Sequence, residues 1–441
     1  MTSLSPSVRR GYALGSVATG TFGTVPGLLL LPYLTDSLGI AAVVAGFIVF
    51  VPKAWDVVLN PVAGRISDRS TSPAGRRRPF LLKGGLVLAV CFALLFAGPT
   101  GPPVVAGAWV VVWFLACATA YAFFQVPYVA MPAEMTLDYA ERTRLMTWRV
   151  AVLALAILLS GATAPMVVNA FGGEESATGY RFMGVYVALI LAAGVYGAWR
   201  GTRDAPEHRV ETAAGSLRDQ LRLVSAVRDF RVLLLTFVLQ AIGVGAMLAG
   251  VAYVADDLLD SEAATTILFA AFVAPALLVT PLWERYAARR GKRSGYLVAS
   301  GCLVAGSLAL FQARVDQHLV VYAAAAVVGI GYAGAQVFPM AMLPDVAAHD
   351  AATSGENRIG VFTGVWTAGE TLGLAIGPGL FALVLALGGY VSSTDHTAVQ
   401  PESARTAIAV GFSLVPAALI AISLLFLRRY RLDDLEAIRE P

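Results

Sequence analysis

Charge is scarce in this sequence. Of 441 residues, 14% are Asp, Glu, Lys or Arg and 57% are hydrophobic. Mean hydropathy is +0.70. A soluble domain carries about 25% charged residues, so the ordinary reading of this length as about three soluble domains fails. Cysteine is scarce too. Cys91, Cys117 and Cys302 lie inside apolar runs, with neither metal-ligand spacing nor a disulfide framework. The four histidines, His208, His318, His349 and His396, fall in or near expected loops, which argues against a metal site. The net charge of +3 does not indicate a nucleic-acid partner. No nucleotide-binding loop and no nucleophile constellation is present, so no enzyme activity is expected. Arg9 and Arg10 precede the first apolar run, but no small-residue cleavage site closes it, and the first span is expected to stay.

What fills the chain instead is a series of about twelve apolar runs, each near the ~20 residues that cross a bilayer. They are expected at 12–36, 41–64, 80–98, 104–131, 145–171, 180–199, 230–255, 263–285, 294–312, 319–343, 358–387 and 405–427. Basic residues fall on one side of an even count. They include Arg65, Arg69, Arg76, Arg77, Arg78, Arg142, Arg144, Arg289, Arg290, Lys292 and Arg293, with Arg181, Arg314 and Arg405 as exceptions. This is the positive-inside pattern with both termini cytoplasmic, in a plasma or inner membrane. The fold class expected is an all-α membrane protein. Residues 1–200 and 230–441 are read as two bundles. The linker 201–229 is read either as a surface amphipathic helix within Leu217–Phe230 or as a solvated connection.

The halves echo each other. Gly64-Arg-Ile-Ser-Asp68-Arg69 and Gly75-Arg-Arg-Arg-Pro79 follow span two, and Trp283-Glu-Arg-Tyr and Arg290-Gly-Lys-Arg293 follow span eight. In span four Glu134 comes nine residues after Gln125, and in span ten Asp345 comes nine residues after Gln336. A parallel repeat of this kind is what a two-bundle carrier shows.

Ionisable residues at membrane depth are functional candidates. Lys53 and Asp56 share one helix face and are read either as a static ion pair or as a cation or proton site. Asn60 adds a neutral oxygen one turn on. Gln125 suits a polar substrate or a helix–helix hydrogen bond. Glu370 is a candidate for protonation or for pairing with a cation such as Lys53, and Trp366 lies one turn away. Glu134 and Arg149 read as gate or anchoring groups. Asp68, facing Arg69, Arg77 and their neighbours, reads as a latch, and Asp345 takes the position of Glu134 in the second half.

The Gly64-x-x-x-Asp68-Arg69 and Gly75-Arg76-Arg77 loop resembles the signature of the major facilitator superfamily. Three stretches are similar to the glycoside–pentoside–hexuronide cation symporters, the group of melibiose permease, which also includes animal sodium-dependent lysolipid symporters. They are Tyr12–Gly15 with Tyr33–Gly39, Trp55-Asp56-Val-Val-Leu-Asn60-Pro61, and Val126-Pro127-Tyr128 through Pro132-Ala-Glu134 to Arg149. The resemblance implies twelve helices in two six-helix bundles and alternating access. It implies no cofactor beyond a coupling proton or sodium ion. Taken with the residues themselves, Gly20, Lys53, Gln125, Tyr128, Trp366 and Glu370 are read as near the substrate, with plain packing the alternative for Trp366, and Asp56, Asn60 and Glu370 at the cation. Gly20 stands where the resemblance expects an acid, Asn60 replaces a second span-two acid, and Gln125 replaces a sugar-gripping acid. The expected cargo is a sugar, glycoside or related polar solute. A lysolipid or other amphiphile is the first rival, and a non-transporting protein with a carrier fold the second. The expected partners are that solute and membrane lipid, and the chain is read as a monomer.

Overall fold

A computed structural model describes residues 4–72, 75–136, 139–172, 177–206, 222, 225–261, 263–315, 318–354, 359–392 and 400–432. Most of the 201–229 linker, including most of its expected amphipathic stretch, lies outside them. No strand occurs among the described residues. Among the described residues, twelve helices are long and apolar enough to cross a membrane. In the first half they are α1 (Pro6–Pro32), α2 (Ala42–Asp68), α3 (Arg78–Leu95), α4 (Pro103–Met135), α5 (Tyr139–Ala170) and α6 (Ala177–Gly201). In the second half they are α7 (Arg228–Tyr253), α8 (Ala264–Arg290), α9 (Lys292–Leu310), α10 (His318–Ser354), α11 (Ile359–Leu387) and α12 (Glu402–Leu427).

Helix α2 shows why such a sequence needs lipid. Val43, Phe47, Val51, Trp55, Val58, Val62 and Ile66 recur every three or four residues and are all exposed. The opposite stripe, Ala45, Val49, Asp56, Leu59, Ala63 and Ser67, is buried. Apolar side chains on the outer stripe and a carboxylate on the inner one invert the pattern of a soluble helix.

Two expected span ends are corrected. Helix α4 runs to Met135 and α10 to Ser354, past Pro132 and Pro344. A proline forfeits one amide donor, but the amides beyond it still bond back, as Thr136 N–H does to the Pro132 carbonyl at 3.3 Å. Glu134 and Asp345 are therefore helical residues.

The chain divides into two compact units, one built on Met1–Thr212 and the other on Ala213–Tyr390 and Gln400–Pro441. Within the first, α1 packs on α5 and α6, α3 on α4 and α6, and α2 on α4. Within the second, α7 packs on α11 and α12, α9 on α10 and α12, and α8 on α10. The packing partners repeat helix for helix.

The repeat extends to the ends of the first helix in each unit. Helix α1 closes in a π turn, Tyr33–Ser37, with Leu38 N–H bonding to the Tyr33 carbonyl at 3.1 Å. Helix α7 closes in Val254–Leu258, with Leu259 N–H on the Val254 carbonyl at 3.0 Å. Each turn ends in a left-handed residue, Gly39 at φ 62° and Asp260 at φ 45°. Glycine holds that conformation without strain, and aspartate is among the few others that tolerate it.

Candidate functional site

In the first unit, polar groups gather where α1, α2 and α4 face one another. Helix α4 presents Tyr121, Gln125 and Tyr128 at helical spacing, on one face. Tyr121 touches Phe22 of α1, ring centroids 4.6 Å apart. Tyr128 stacks on Tyr12 of α1 at 4.7 Å. Gln125 lies between these contacts. Its Oε1 is buried and has no hydrogen-bond partner among the described residues. An amide oxygen in that state is costly unless something else satisfies it.

Tyr128 is wholly buried. Its hydroxyl donates to the Tyr12 carbonyl at 2.8 Å and lies 2.9 Å from Ser16 Oγ, while Tyr12 OH donates to the Tyr128 carbonyl at 3.3 Å. The Arg149 guanidinium sits over the Tyr128 ring at 5.5 Å. Expected as a substrate contact, Tyr128 is placed as a clamp between α1 and α4, with Arg149 anchoring α5 to it. Gly20 is likewise placed in a helix contact. A Cβ there would come within 3.0 Å of the Leu153 carbonyl oxygen and 3.2 Å of Ala156 Cβ, both on α5.

Asp56 lies on the inner stripe of α2, 5% exposed, and its Oδ1 has no hydrogen-bond partner among the described residues. Lys53 does not satisfy it. The pair is absent from the ion pairs within 4 Å among the described residues. Lys53 Nζ instead lies over the Phe22 ring at 5.4 Å. A contact ion pair is not formed, and the two groups act on each other only across a longer distance. Asn60 is half-buried one turn on.

Part of the expected latch lies outside the described residues. Asp68 ends α2, and its side chain lies outside what is described. Arg69 is exposed. Arg77 holds Glu134, with Nε at 3.0 Å and Nη2 at 2.7 Å from Oε1, while Nη1 donates to Ser67 Oγ at 2.6 Å. Both partners are buried, Arg77 at 5% and Glu134 at 6% exposure. This network ties the end of α2 and the start of α3 to the end of α4. In the second unit Lys292, at the start of α9, pairs with Asp345 near the end of α10 and donates to the Ala341 carbonyl. Each latch acid stands nine residues after its glutamine.

Helix α10 repeats the face of α4. Tyr332, Gln336 and Asp345 have the spacing of Tyr121, Gln125 and Glu134. Here Gln336 Nε2 donates to Tyr332 OH at 2.9 Å. These two residues line a cleft with Gln240 and Phe237 of α7 and Glu370 and Leu374 of α11. Gln240 is itself held from behind. Its Nε2 donates to Ser300 Oγ at 2.9 Å and Ser423 Oγ at 3.0 Å, and its Oε1 accepts from Tyr296 OH at 3.2 Å. Trp366 is 1% exposed and stacks on Phe237 at 4.4 Å, so it backs the cleft wall rather than lining it. Lys53 and Glu370 lie in different units.

Sequence reasoning missed Tyr332 and Gln240. Gln240 carried no repeat partner to mark it. Tyr332 had a signal, since Tyr121-Ala122 and Tyr332-Ala333 each precede a Gln-Val step by the same interval, and Ala130-Met131 and Ala341-Met342 follow it alike.

Among the described residues no group of three or more His, Cys, Asp or Glu side chains could hold a metal ion. The pattern is one of scattered polar groups at membrane depth in two repeated bundles. The family model described as MFS/sugar transport protein matches residues 11–434. The chain belongs to that family. It is an integral membrane protein with the major facilitator superfamily fold. It is similar to the glucuronide carrier protein homolog of Escherichia coli (strain K12), 26% identical across 96% of this chain and 92% of that one. It is also similar to the sodium-dependent lysophosphatidylcholine symporter 1 of Gallus gallus, 24% identical across 96% and 86% of the two chains. Among solved structures, a D-xylose–proton symporter superposes with a TM-score of 0.70 at 15% identity, covering 96% of this chain and 97% of that one. That last likeness speaks for the fold.

Proposed function

We propose that this protein is a secondary active symporter that works by alternating access and carries a sugar, glycoside or related polar solute with a coupling cation. The observation that carries this reading is the set of unmet polar groups in the first unit. Asp56 Oδ1 and Gln125 Oε1 are buried without hydrogen-bond partners among the described residues, and Lys53 Nζ lies over the Phe22 ring with no carboxylate within 4 Å among them. Burying such groups is destabilising unless a ligand completes them. In this reading Gln125 and Lys53 contact the solute. Asp56, Asn60 and Glu370 are the groups open to the coupling cation, and Glu370 also faces the solute. Arg77–Glu134 and Lys292–Asp345 hold each bundle rigid at its arginine-rich end while the bundles move. Arg149 anchors α5 to α4. Both termini are cytoplasmic, as the loop charge predicts.

The test is uptake of radiolabelled glucosides, pentosides and hexuronides into proteoliposomes under an imposed proton or sodium gradient. Accumulation of at least one, lost in Q125L, supports the reading. No uptake of any member sinks it.

A second reading has its own support. A wholly apolar cleft lined by Met247, Val251, Leu268, Phe269, Phe272 and Phe412 adjoins the polar one, and Val244 lines both. An amphiphile would suit that pair, with its headgroup at Glu370 and Gln336 and its chain along the apolar cleft. Transport of a labelled lysolipid in the same vesicles, with no sugar uptake, would favour it.

A further inference from the structure

The second unit places one carboxylate in a cleft that offers it no counter-charge. Glu370 stands eleven residues after Ile359 on α11, roughly 16 Å along the helix axis at about 1.5 Å per residue. That is near the middle of a ~30 Å hydrocarbon layer. The cleft walls come from three helices. Helix α7 contributes Phe237 and Gln240, α10 contributes Tyr332 and Gln336, and α11 contributes Glu370 and Leu374. The remaining lining is alanine and valine. No lysine, arginine or histidine lines it, and Tyr332 is the one other titratable group there among the described residues. None of the described ion pairs includes Glu370.

The polar groups around Glu370 are already oriented. Gln240 spends its amide protons on Ser300 and Ser423 and its oxygen on Tyr296. It therefore forms a fixed wall. Gln336 donates to the Tyr332 oxygen, which leaves the phenolic proton of Tyr332 to be offered elsewhere. Tyr332 lies within electrostatic range of Glu370. A sodium ion asks for several oxygen ligands, as hard cations do. Here one carboxylate, one phenol and the amide oxygens of Gln336 and Gln240, the latter already accepting from Tyr296, share a wall that is otherwise apolar. A proton needs only the carboxylate. An intramembrane acid without a cation is satisfied by taking one up.

We propose that the second unit holds a proton-binding site at Glu370, positioned by Tyr332 and Gln336, and that the coupling ion of this carrier is a proton bound there. The step is simple in its balance: the carboxylate takes one proton from the side to which it is open and returns it on the other. Tyr332 is a positioning residue, donating to the carboxylate when Glu370 is ionised. The inference rests on the transport reading for its role in coupling, but the proton site can be tested without any solute.

The experiment is an infrared difference titration between acid and alkaline pH on the protein in phosphatidylethanolamine–phosphatidylglycerol liposomes. A component of the carboxylic-acid carbonyl band that belongs to Glu370 alone is expected. It should vanish in E370Q, persist in D56N and shift in frequency in Y332F. Exchanging choline chloride for sodium chloride should leave it unchanged. E370D provides a second variant if E370Q does not fold, and it should retain a displaced band. A band that is unchanged in E370Q, that loses a component only in D56N, or whose Glu370 component sodium abolishes overturns the proposal. A protein that accumulates solute yet lacks the Glu370 band refutes this inference alone. One that shows the band and moves no solute refutes only the transport reading.

Discussion

Arg77 donates twice to a single carboxylate oxygen of Glu134, at 3.0 and 2.7 Å, with both side chains nearly sealed from solvent. Removing one partner of such a pair strands a buried charge and its hydrogen-bonding groups. Glu134→Ala or Arg77→Ala is expected to cost about 3–5 kcal/mol of stability. A double replacement of both by apolar residues should recover much of that loss. Thermal unfolding of the purified protein, run as a double-mutant cycle, reads the difference. Equal losses in the single and double variants would remove the pair from this account.

The matching pair in the second unit should behave differently. Lys292 and Asp345 are more open, with side chains 37% and 23% exposed. Solvent screens such a pair, so Lys292→Ala should cost about 0–1 kcal/mol. The same unfolding measurement checks it. A loss as large as that of Arg77→Ala would show that the second latch is sealed off as the first is.

These two latches show how far the sequence could be read. Their acids were visible because each follows a glutamine at a fixed interval. The helices themselves were visible because a dozen apolar runs of bilayer length seldom occur outside a membrane protein. The partner choice was not. Only the fold brings Glu134, at the end of α4, within reach of Arg77 at the start of α3. The Lys53–Asp56 pair failed for a related reason. A three-residue spacing puts two side chains on one face, but it does not set their rotamers, and Phe22 of α1 offers the lysine an alternative. The sequence puts Gly20 and Tyr128 near the cavity by resemblance, and Trp366 by its spacing from Glu370. Their burial against Ala156, Tyr12 and Phe237 depends on helix rotation, which one sequence does not encode locally.

Tyr128 should act as a structural clamp. Tyr128→Phe removes the bond to the Tyr12 carbonyl and the contact with Ser16 while keeping the ring stack. The expected loss is about 1–3 kcal/mol, since a buried hydroxyl and carbonyl are left unpaired. Solute affinity per folded molecule should stay within about threefold, below the ~0.7 kcal/mol that such a ratio represents. Unfolding and binding measured on one preparation separate the two effects. A large affinity loss with unchanged stability would return Tyr128 to the binding surface.

Gln125 should act in the opposite sense. Its unmet Oε1 makes no described contribution to packing. Gln125→Leu is therefore expected to be neutral or mildly stabilising, because it removes a buried acceptor without a partner. Solute affinity should fall about tenfold or more, the equivalent of a lost hydrogen bond of ~1.4 kcal/mol. Titration of the carried solute against wild type and Q125L gives the answer, and an unchanged affinity would assign Gln125 to helix packing.

The most direct test of a proton-coupled carrier with its proton on Glu370 compares two modes of transport in one variant. Proteoliposomes holding wild type should accumulate solute when the interior is made alkaline, and a protonophore should abolish this. E370Q vesicles should lose that accumulation yet retain exchange of labelled for unlabelled solute, which needs no net proton movement. Accumulation in E370Q that still follows the proton gradient, or wild-type accumulation that follows sodium alone, would contradict the account.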